Sequence, residues 1–221
     1  MPTRDVSPSV RVLDLIERYE DFLADEVAPL EAQLAEQNVG TAWAPALDEH
    51  GRMHRTVWEA RREVQRRSAA AGLYAPHMPS EVGGGGLSRV EMMHVEEFVY
   101  RKAGLGLGLA ALAWTEGPSP ILTHLSATGK ARFLAPLMAA ETSCAFANTE
   151  PAVGSDVLGM STRAERDGED WLISGHKGWI TNAHYCDVAA VVAVTEPGAG
   201  SKSLTMFMVD ARSPGFRRGV D

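Results

Sequence analysis

The chain has little of what most compact catalytic sites are built from. Its 221 residues contain only two cysteines, Cys144 and Cys186, far apart and outside any CxxC spacing. That argues against a disulfide framework or a thiolate metal site and predicts reduced, buried thiols. Seven histidines supply no HExxH and no Cys/His ligand spacing. His50 and His54 are four residues apart, but Gly51 between them weakens any helix there, so no metal site is expected. Basic residues are in the minority, 21 Lys and Arg against 29 Asp and Glu, for a net charge of −8. Arg61-Arg62 and Arg66-Arg67 are interleaved with acidic and small residues, and without a concentrated cationic face a nucleic-acid partner is not expected. No apolar run approaches the ~20 residues of a membrane-spanning helix. The longest, residues 104–114, reads as a buried helix. Residues 1–10 lack the apolar core of a secretory signal and carry Asp5, which transit peptides avoid, so a soluble cytoplasmic protein is predicted.

What is present is a globular composition, 45% hydrophobic and 23% charged, long enough for one domain or two. Leu13, Ile16, Leu23, Val27, Leu30 and Leu34 form the one-sided stripe of an amphipathic helix over residues 10–37, with a kink or a restart at Pro29. A second helix is predicted over residues 53–71, ending at Gly72, and residues 73–87 read as a loop. Ser88 and Glu91 have capping-box spacing and should open a third helix running towards Trp114. Two shorter helices are expected over residues 118–125 and 130–139.

After Glu141 the texture changes. Alternation over residues 160–165, the Asp167-Gly168 turn and Trp171-Leu172-Ile173 predict an antiparallel hairpin. Residues 188–194 and 204–209 have the length and apolarity of strands. Helices first and strands second favour an α+β fold over alternating βαβ units. The expected division is a helical domain over residues 1–141 and a β-domain over residues 142–221.

Several glycine clusters invite a phosphate-loop reading. Gly83 to Gly86 match neither GxGxxG nor GxxxxGK[ST] and read as a flexible connector. Gly104, Gly106 and Gly108 suggest close packing. No GxSxG elbow is present. The segment Thr149-Glu150-Pro151-Ala152-Val153-Gly154-Ser155-Asp156 is different. It has two hydroxyls, a rigid proline and a glycine that lets backbone amides approach an anion. Such a loop can cradle a pyrophosphate, and it can equally be a surface loop between strands.

A second segment bears on that choice. The series Phe146-Ala147-Asn148-Thr149-Glu150-Pro151-x-x-Gly154-Ser155-Asp156, then Thr162-x-Ala164, the Gly168 turn and Gly175-x-Lys177-x-Trp179-Ile180-Thr181-Asn182, resembles the central region of the acyl-CoA dehydrogenase superfamily in order and spacing. Weaker agreement extends upstream through Gly72-Leu73 and residues 129–136 and downstream to Pro214-Gly215. The resemblance implies an N-terminal all-α domain followed by part of an antiparallel β-barrel or sandwich domain.

It also implies FAD as cofactor, with contacts at Phe146, Asn148, Thr149, Gly154, Ser155, Trp179, Ile180 and Thr181. Thr149 and Thr181 would face polar atoms of the isoalloxazine and Trp179 its ring system. Gly154 and Ser155 would face the pyrophosphate, with Ser155 also near bound acyl-CoA. The alternative for Trp179 is ordinary core packing. Asn148 and Ala152-Val153 depart from the commoner pattern, but the matching contacts are partly backbone, so FAD binding is expected to survive.

The implied reaction is α,β-dehydrogenation of an acyl-CoA thioester to a trans-2-enoyl-CoA with hydride transfer to flavin N5. Its catalytic base would be a glutamate of a C-terminal helical domain, and no residue here matches it. Glu150 and Asp156 are expected to organise their loop instead. An electron-transferring flavoprotein as acceptor and a homo-oligomeric state follow from the same resemblance. The alternatives are an oxidase or monooxygenase of the same fold, or a non-catalytic interaction module.

Overall fold

Pro29 decides how the chain begins. Its ring removes an amide and crowds the carbonyl four residues back, so an undisturbed α-helix cannot run through it. The computed structural model describes residues 7–40, 46–49, 52–104 and 106–219. In it α1 spans Val10–Phe22, the backbone widens into a π turn over Leu23–Val27, and α2 follows over Ala28–Glu36 with Pro29 in its first turn. The amide of Ala28 reaches back five residues to the Leu23 carbonyl, as a π turn requires. His50 and Gly51, on which the expectation of no metal site bears, lie outside the described residues, as do the first six positions and the last two.

The third helix of the chain, α3, covers Arg55–Ala70, and Gly72 beyond it takes the left-handed φ of 71° that ends such a helix cleanly. Helix α4 covers Arg89–Ala103, and its capping box is complete, Glu91 N–H to Ser88 Oγ and Ser88 N–H to Glu91 Oε2. It stops well short of Trp114. Gly104, at φ 55°, breaks it, and the apolar run continues as a buried 3₁₀ turn over Leu107–Ala111. A Cβ on Gly108 would sit 2.5 Å from the Ala103 methyl, so the glycine there serves close packing.

Residues 73–87 contain a 3₁₀ turn at Ser80–Val82, and their glycines are not the flexible connector expected from sequence. A Cβ on Gly84 would lie 2.1 Å from the Met78 carbonyl oxygen. The amides of Gly84, Gly85 and Gly86 donate to Pro79, Ala75 and Met78. Further on, the two short helices become a 3₁₀ turn at Pro120–His124 and a composite of α5 (Ala127–Gly129), a π turn (Lys130–Leu134) and α6 (Ala135–Met138).

The chain divides into two compact units, Met1–Glu141 and Thr142–Asp221. The first is helical around one apolar cluster that includes Tyr19, Val64, Val95, Val99 and Leu107. Its buried charges are matched: Glu116 accepts from Arg61 Nε at 2.7 Å and Gln65 Nε2 at 2.8 Å, and Arg62 donates to the Ala140 carbonyl at 2.7 Å.

In the second unit the described residues form a five-stranded sheet of β1 (Cys144–Ala147), β2 (Arg163–Asp167), β3 (Asp170–Ser174), β4 (Val188–Val194) and β5 (Leu204–Asp210). The fold is α+β, but the sheet is mixed and not antiparallel as expected. β2 and β3 do make the antiparallel hairpin, with Gly168 at φ 63° in its two-residue turn, and β4 and β5 make another. β1, however, runs parallel to β4, Cys144 opposite Val188, and β2 rejoins the same edge further along, Arg163 opposite Val194. Residues 148–162 are therefore an excursion that leaves and re-enters one edge of β4. Trp171 ties the hairpin to β5 through Phe207, ring centroids 5.3 Å apart, with Arg166 over its face. Both cysteines are buried free thiols, and burial pushes Cys144 up to about 11. No helix among the described residues is long and apolar enough to cross a membrane.

Candidate functional site

Strand β1 alternates, and the alternation aims its residues. Ala145 and Ala147 turn into the unit while Phe146 is 55% exposed. The excursion begins immediately after. Glu150 and Val153 exchange backbone hydrogen bonds of 2.9 and 3.0 Å, closing a tight turn around Pro151 and Ala152.

Glu150 is buried, and its carboxylate holds the far end of the same excursion. One oxygen accepts from both the amide and the hydroxyl of Ser161, each at 2.7 Å; the other accepts from the Thr162 amide at 2.9 Å and from Lys177 Nζ at 3.0 Å. Burial alone would push this carboxyl up. The hydrogen bonds from Ser161 and Thr162 outweigh it and hold Glu150 well below the usual carboxylate range. Glu150 thus organises the loop, as its position suggested. Asp156 is exposed and contributes through its backbone, its carbonyl accepting from the Gly159 amide.

The second segment is brought in by a close crossing. A Cβ on Gly175 would lie 2.3 Å from Thr162 Oγ1, so a glycine is what lets the chain pass. Two residues later Lys177 Nζ donates to the Asn148 carbonyl at 2.9 Å as well as to Glu150. Gly178 N–H donates to the Thr149 carbonyl at 3.0 Å, and Asn182 Nδ2 to the Cys144 carbonyl at 2.7 Å. These ties place Phe146, Asn148 and Thr149 beside Trp179, Ile180 and Thr181. Gly154 and Ser155 stand at the outer end of the turn and make no hydrogen bond to the second segment among the described residues.

Trp179 is not core. It is 88% exposed on a left-handed backbone, φ 58°, a conformation bulky side chains rarely adopt. Ile180 turns the other way and packs against Ala145, Cys186 and Ala211. Thr181 is exposed and Thr149 half-buried. Among the described residues the hydroxyls of Thr149, Ser155 and Thr181 and the amides of Gly154 and Ser155 have no hydrogen-bond partner, and a Cβ on Gly154 would meet nothing within 4 Å. Two exposed aromatic rings, three open hydroxyls and two open amides suit a ligand with a planar polar heterocycle and an anionic tail. Sequence reasoning missed Lys177. Its signal was a lysine between Gly175 and an aromatic in a segment otherwise devoid of acidic partners.

Known proteins are similar to this chain over both units. Residues 12–141 match the family described as "Acyl-CoA dehydrogenase, N-terminal domain", and residues 145–220 match "Acyl-CoA dehydrogenase, middle domain". A cyclohex-1-ene-1-carbonyl-CoA dehydrogenase of Geobacter metallireducens is 37% identical over 152 residues, 68% of this chain and 40% of the relative. A glutaryl-CoA dehydrogenase of Desulfococcus multivorans is 34% identical over 163 residues, 70% of this chain and 41% of the relative. The chain therefore spans about two fifths of the length of these curated relatives. An acyl-CoA dehydrogenase from Bacillus anthracis, crystallised with FAD, shares the fold at a TM-score of 0.68 and 24% identity, over 96% of this chain and 33% of that one.

Proposed function

The chain belongs to the acyl-CoA dehydrogenase family, and we propose that residues 146–155 and 179–181 hold FAD for the α,β-dehydrogenation of an acyl-CoA thioester. The observation that carries this reading is the Gly178 to Thr149 hydrogen bond, which draws the two segments together with Trp179 held open above them. FAD, when bound, supplies the two-electron acceptor for conversion of the thioester to a trans-2-enoyl-CoA.

The chain's own residues do the holding. Trp179 and Phe146 offer ring faces to the isoalloxazine, and Thr149 and Thr181 offer hydroxyls to its polar edge. Gly154 and Ser155 offer amides to the pyrophosphate, where the bare Cα of Gly154 allows close approach. Ser155 also faces the acyl-CoA. Asn148 enters through its backbone, its carbonyl being engaged by Lys177. Ile180 acts by anchoring the turn from beneath, because its side chain packs inward. The base that removes the α-proton is proposed to lie outside residues 1–221, since Glu150 is consumed by loop contacts and Asp156 turns to solvent. Transfer of electrons to an electron-transferring flavoprotein, a homo-oligomeric state and a cytoplasmic location belong to the same proposal.

The test is an absorbance spectrum of the 221-residue chain after incubation with FAD and removal of free cofactor, followed by a panel of acyl-CoA thioesters. Flavin bands that persist and are not bleached by any thioester are the expected result. Bleaching would place a base among these residues, and a colourless chain would remove the FAD reading. Gly154→Val sharpens the test. Its side chain would enter open space, so the thermal midpoint should not move, while FAD affinity should fall about tenfold, the worth of one charge-assisted hydrogen bond.

A further inference from the structure

Lys177 is a buried cation with a particular set of partners. Its side chain is 10% exposed, and its ammonium donates to the Asn148 carbonyl at 2.9 Å and to Glu150 Oε1 at 3.0 Å, with Met160 Sδ at 3.8 Å completing its surroundings. Asn148 begins the excursion, Met160 is near its end, and Glu150 grips Ser161 and Thr162 where the chain rejoins the sheet. Two residues beyond Lys177 stands Trp179. One side chain thus spans both ends of the loop and the segment that presents the exposed ring. Of the remaining ties, Gly178 to Thr149 and Asn182 to Cys144 reach only the first end.

We propose that Lys177 is a positioning residue for the cofactor cradle, with Glu150 as its relay: it locks the excursion and the 175–182 turn into one body and so fixes Trp179 relative to the amides of Gly154 and Ser155. The inference rests on the FAD reading above. A lysine suits the task because its three donors can serve acceptors from separate stretches of chain at once. A buried ion pair is poor as a source of net stability, since desolvation offsets most of the attraction. Fixing one arrangement among several is the use to which its directional contacts are suited.

The experiment compares wild type with Lys177→Met, Lys177→Arg and the double variant Glu150→Gln/Lys177→Met. Amide hydrogen exchange is measured first, without FAD. In Lys177→Met the amides of Ser161, Thr162 and Gly178 should speed up together, by about tenfold, the middle of the range for residues coupled in one network. FAD affinity should fall by a similar factor of about ten, and the visible circular dichroism of the bound flavin at saturating FAD should change. Lys177→Arg, which keeps charge and donors, should recover part of both. The double variant should not recover them. Recovery there would mean that a stranded Glu150 charge caused the loss, and would overturn the proposal.

A purely structural lysine would lower the thermal midpoint while leaving affinity and dichroism at saturation as in wild type, and that result also overturns the inference. Exchange that rises only in residues next to position 177 does the same. The two readings fail separately: wild type that loads FAD alongside an unaltered Lys177→Met variant sinks the positioning role alone, whereas wild type that takes up no FAD sinks both.

Discussion

Replacing Trp179 by glycine should leave the chain at least as stable without cofactor and far worse at holding one. The side chain is 88% exposed, so removing it forfeits little burial, and its backbone sits at φ 58°. A non-glycine residue in that conformation costs roughly 1–2 kcal/mol. Glycine removes the penalty and returns some of it as unfolded-state entropy, leaving a gain of up to ~1 kcal/mol. The ring itself, if it lies against the isoalloxazine, is worth ~1–3 kcal/mol by analogy with bases stacked on aromatic side chains, so FAD affinity should drop about tenfold to a hundredfold. Denaturant melts of the FAD-free protein and titrations with FAD read the two effects independently. A loss of stability would mean that the indole has packing partners and that the strain is not stored for binding. Trp179→Phe is the control, because it keeps the backbone and part of the ring.

The largest stability effect should come from Glu150. Alanine there would strand the amides of Ser161 and Thr162 and leave Lys177 with a single carbonyl partner in a buried place. Breaking a buried pair in this way costs about 3–5 kcal/mol, against a usual domain stability of about 5–15 kcal/mol. The sheet unit should therefore be largely lost at moderate denaturant, a change visible in the near-UV signal of Trp171. Acid offers a gentler approach to the same group. The folded carboxyl lies below its ordinary value near 4.5, so the unfolded chain binds the proton first. The stabilisation is fully present above about pH 4.5 and drains away as pH falls through the lower folded value. Glu150→Gln should start less stable and show a flatter acid limb. Parallel acid limbs for the two proteins would remove Glu150 from this role.

Local signals were readable in the sequence because they act over a few residues. Ser88 and Glu91 form the capping box that their spacing announced, the Asp-Gly signal marks the hairpin with its turn at Gly168-Glu169, and Pro29 interrupts the first helix. Gly104 carried the sign of a helix end, yet the apolar run beyond it concealed the stop at Ala103, since apolarity does not separate an α-helix from a buried 3₁₀ turn. The four consecutive glycines at 83–86 suggested slack and proved tightly tied, because the carbonyls they approach belong to residues 75–80. Strand direction was the main error. One hairpin and two further runs of strand length are visible in the chain, but the parallel pairing of β1 with β4 has no local signature. The two motif segments were legible as residue types. Their meeting through Lys177 and Glu150, 27 residues apart, was not.

The parallel register has a temporal consequence. Both hairpins close over short loops, whereas β1 and β4 meet across a long one, where the Ser143 amide donates to the carboxylate of Asp187, 44 residues away. Closing the longer loop costs more entropy before any contact repays it. The hypothesis that follows is an order of events: hairpins first, then β1, and only then the excursion that β1 launches. Pulsed hydrogen exchange on a refolding chain would show it, the amides of β2 and β3 being protected before those of Gly178 and Thr162; simultaneous protection would refute it. On that order the part of the molecule that meets the ligand is the last to exist, and a cofactor waiting in solution can hasten none of the steps before it.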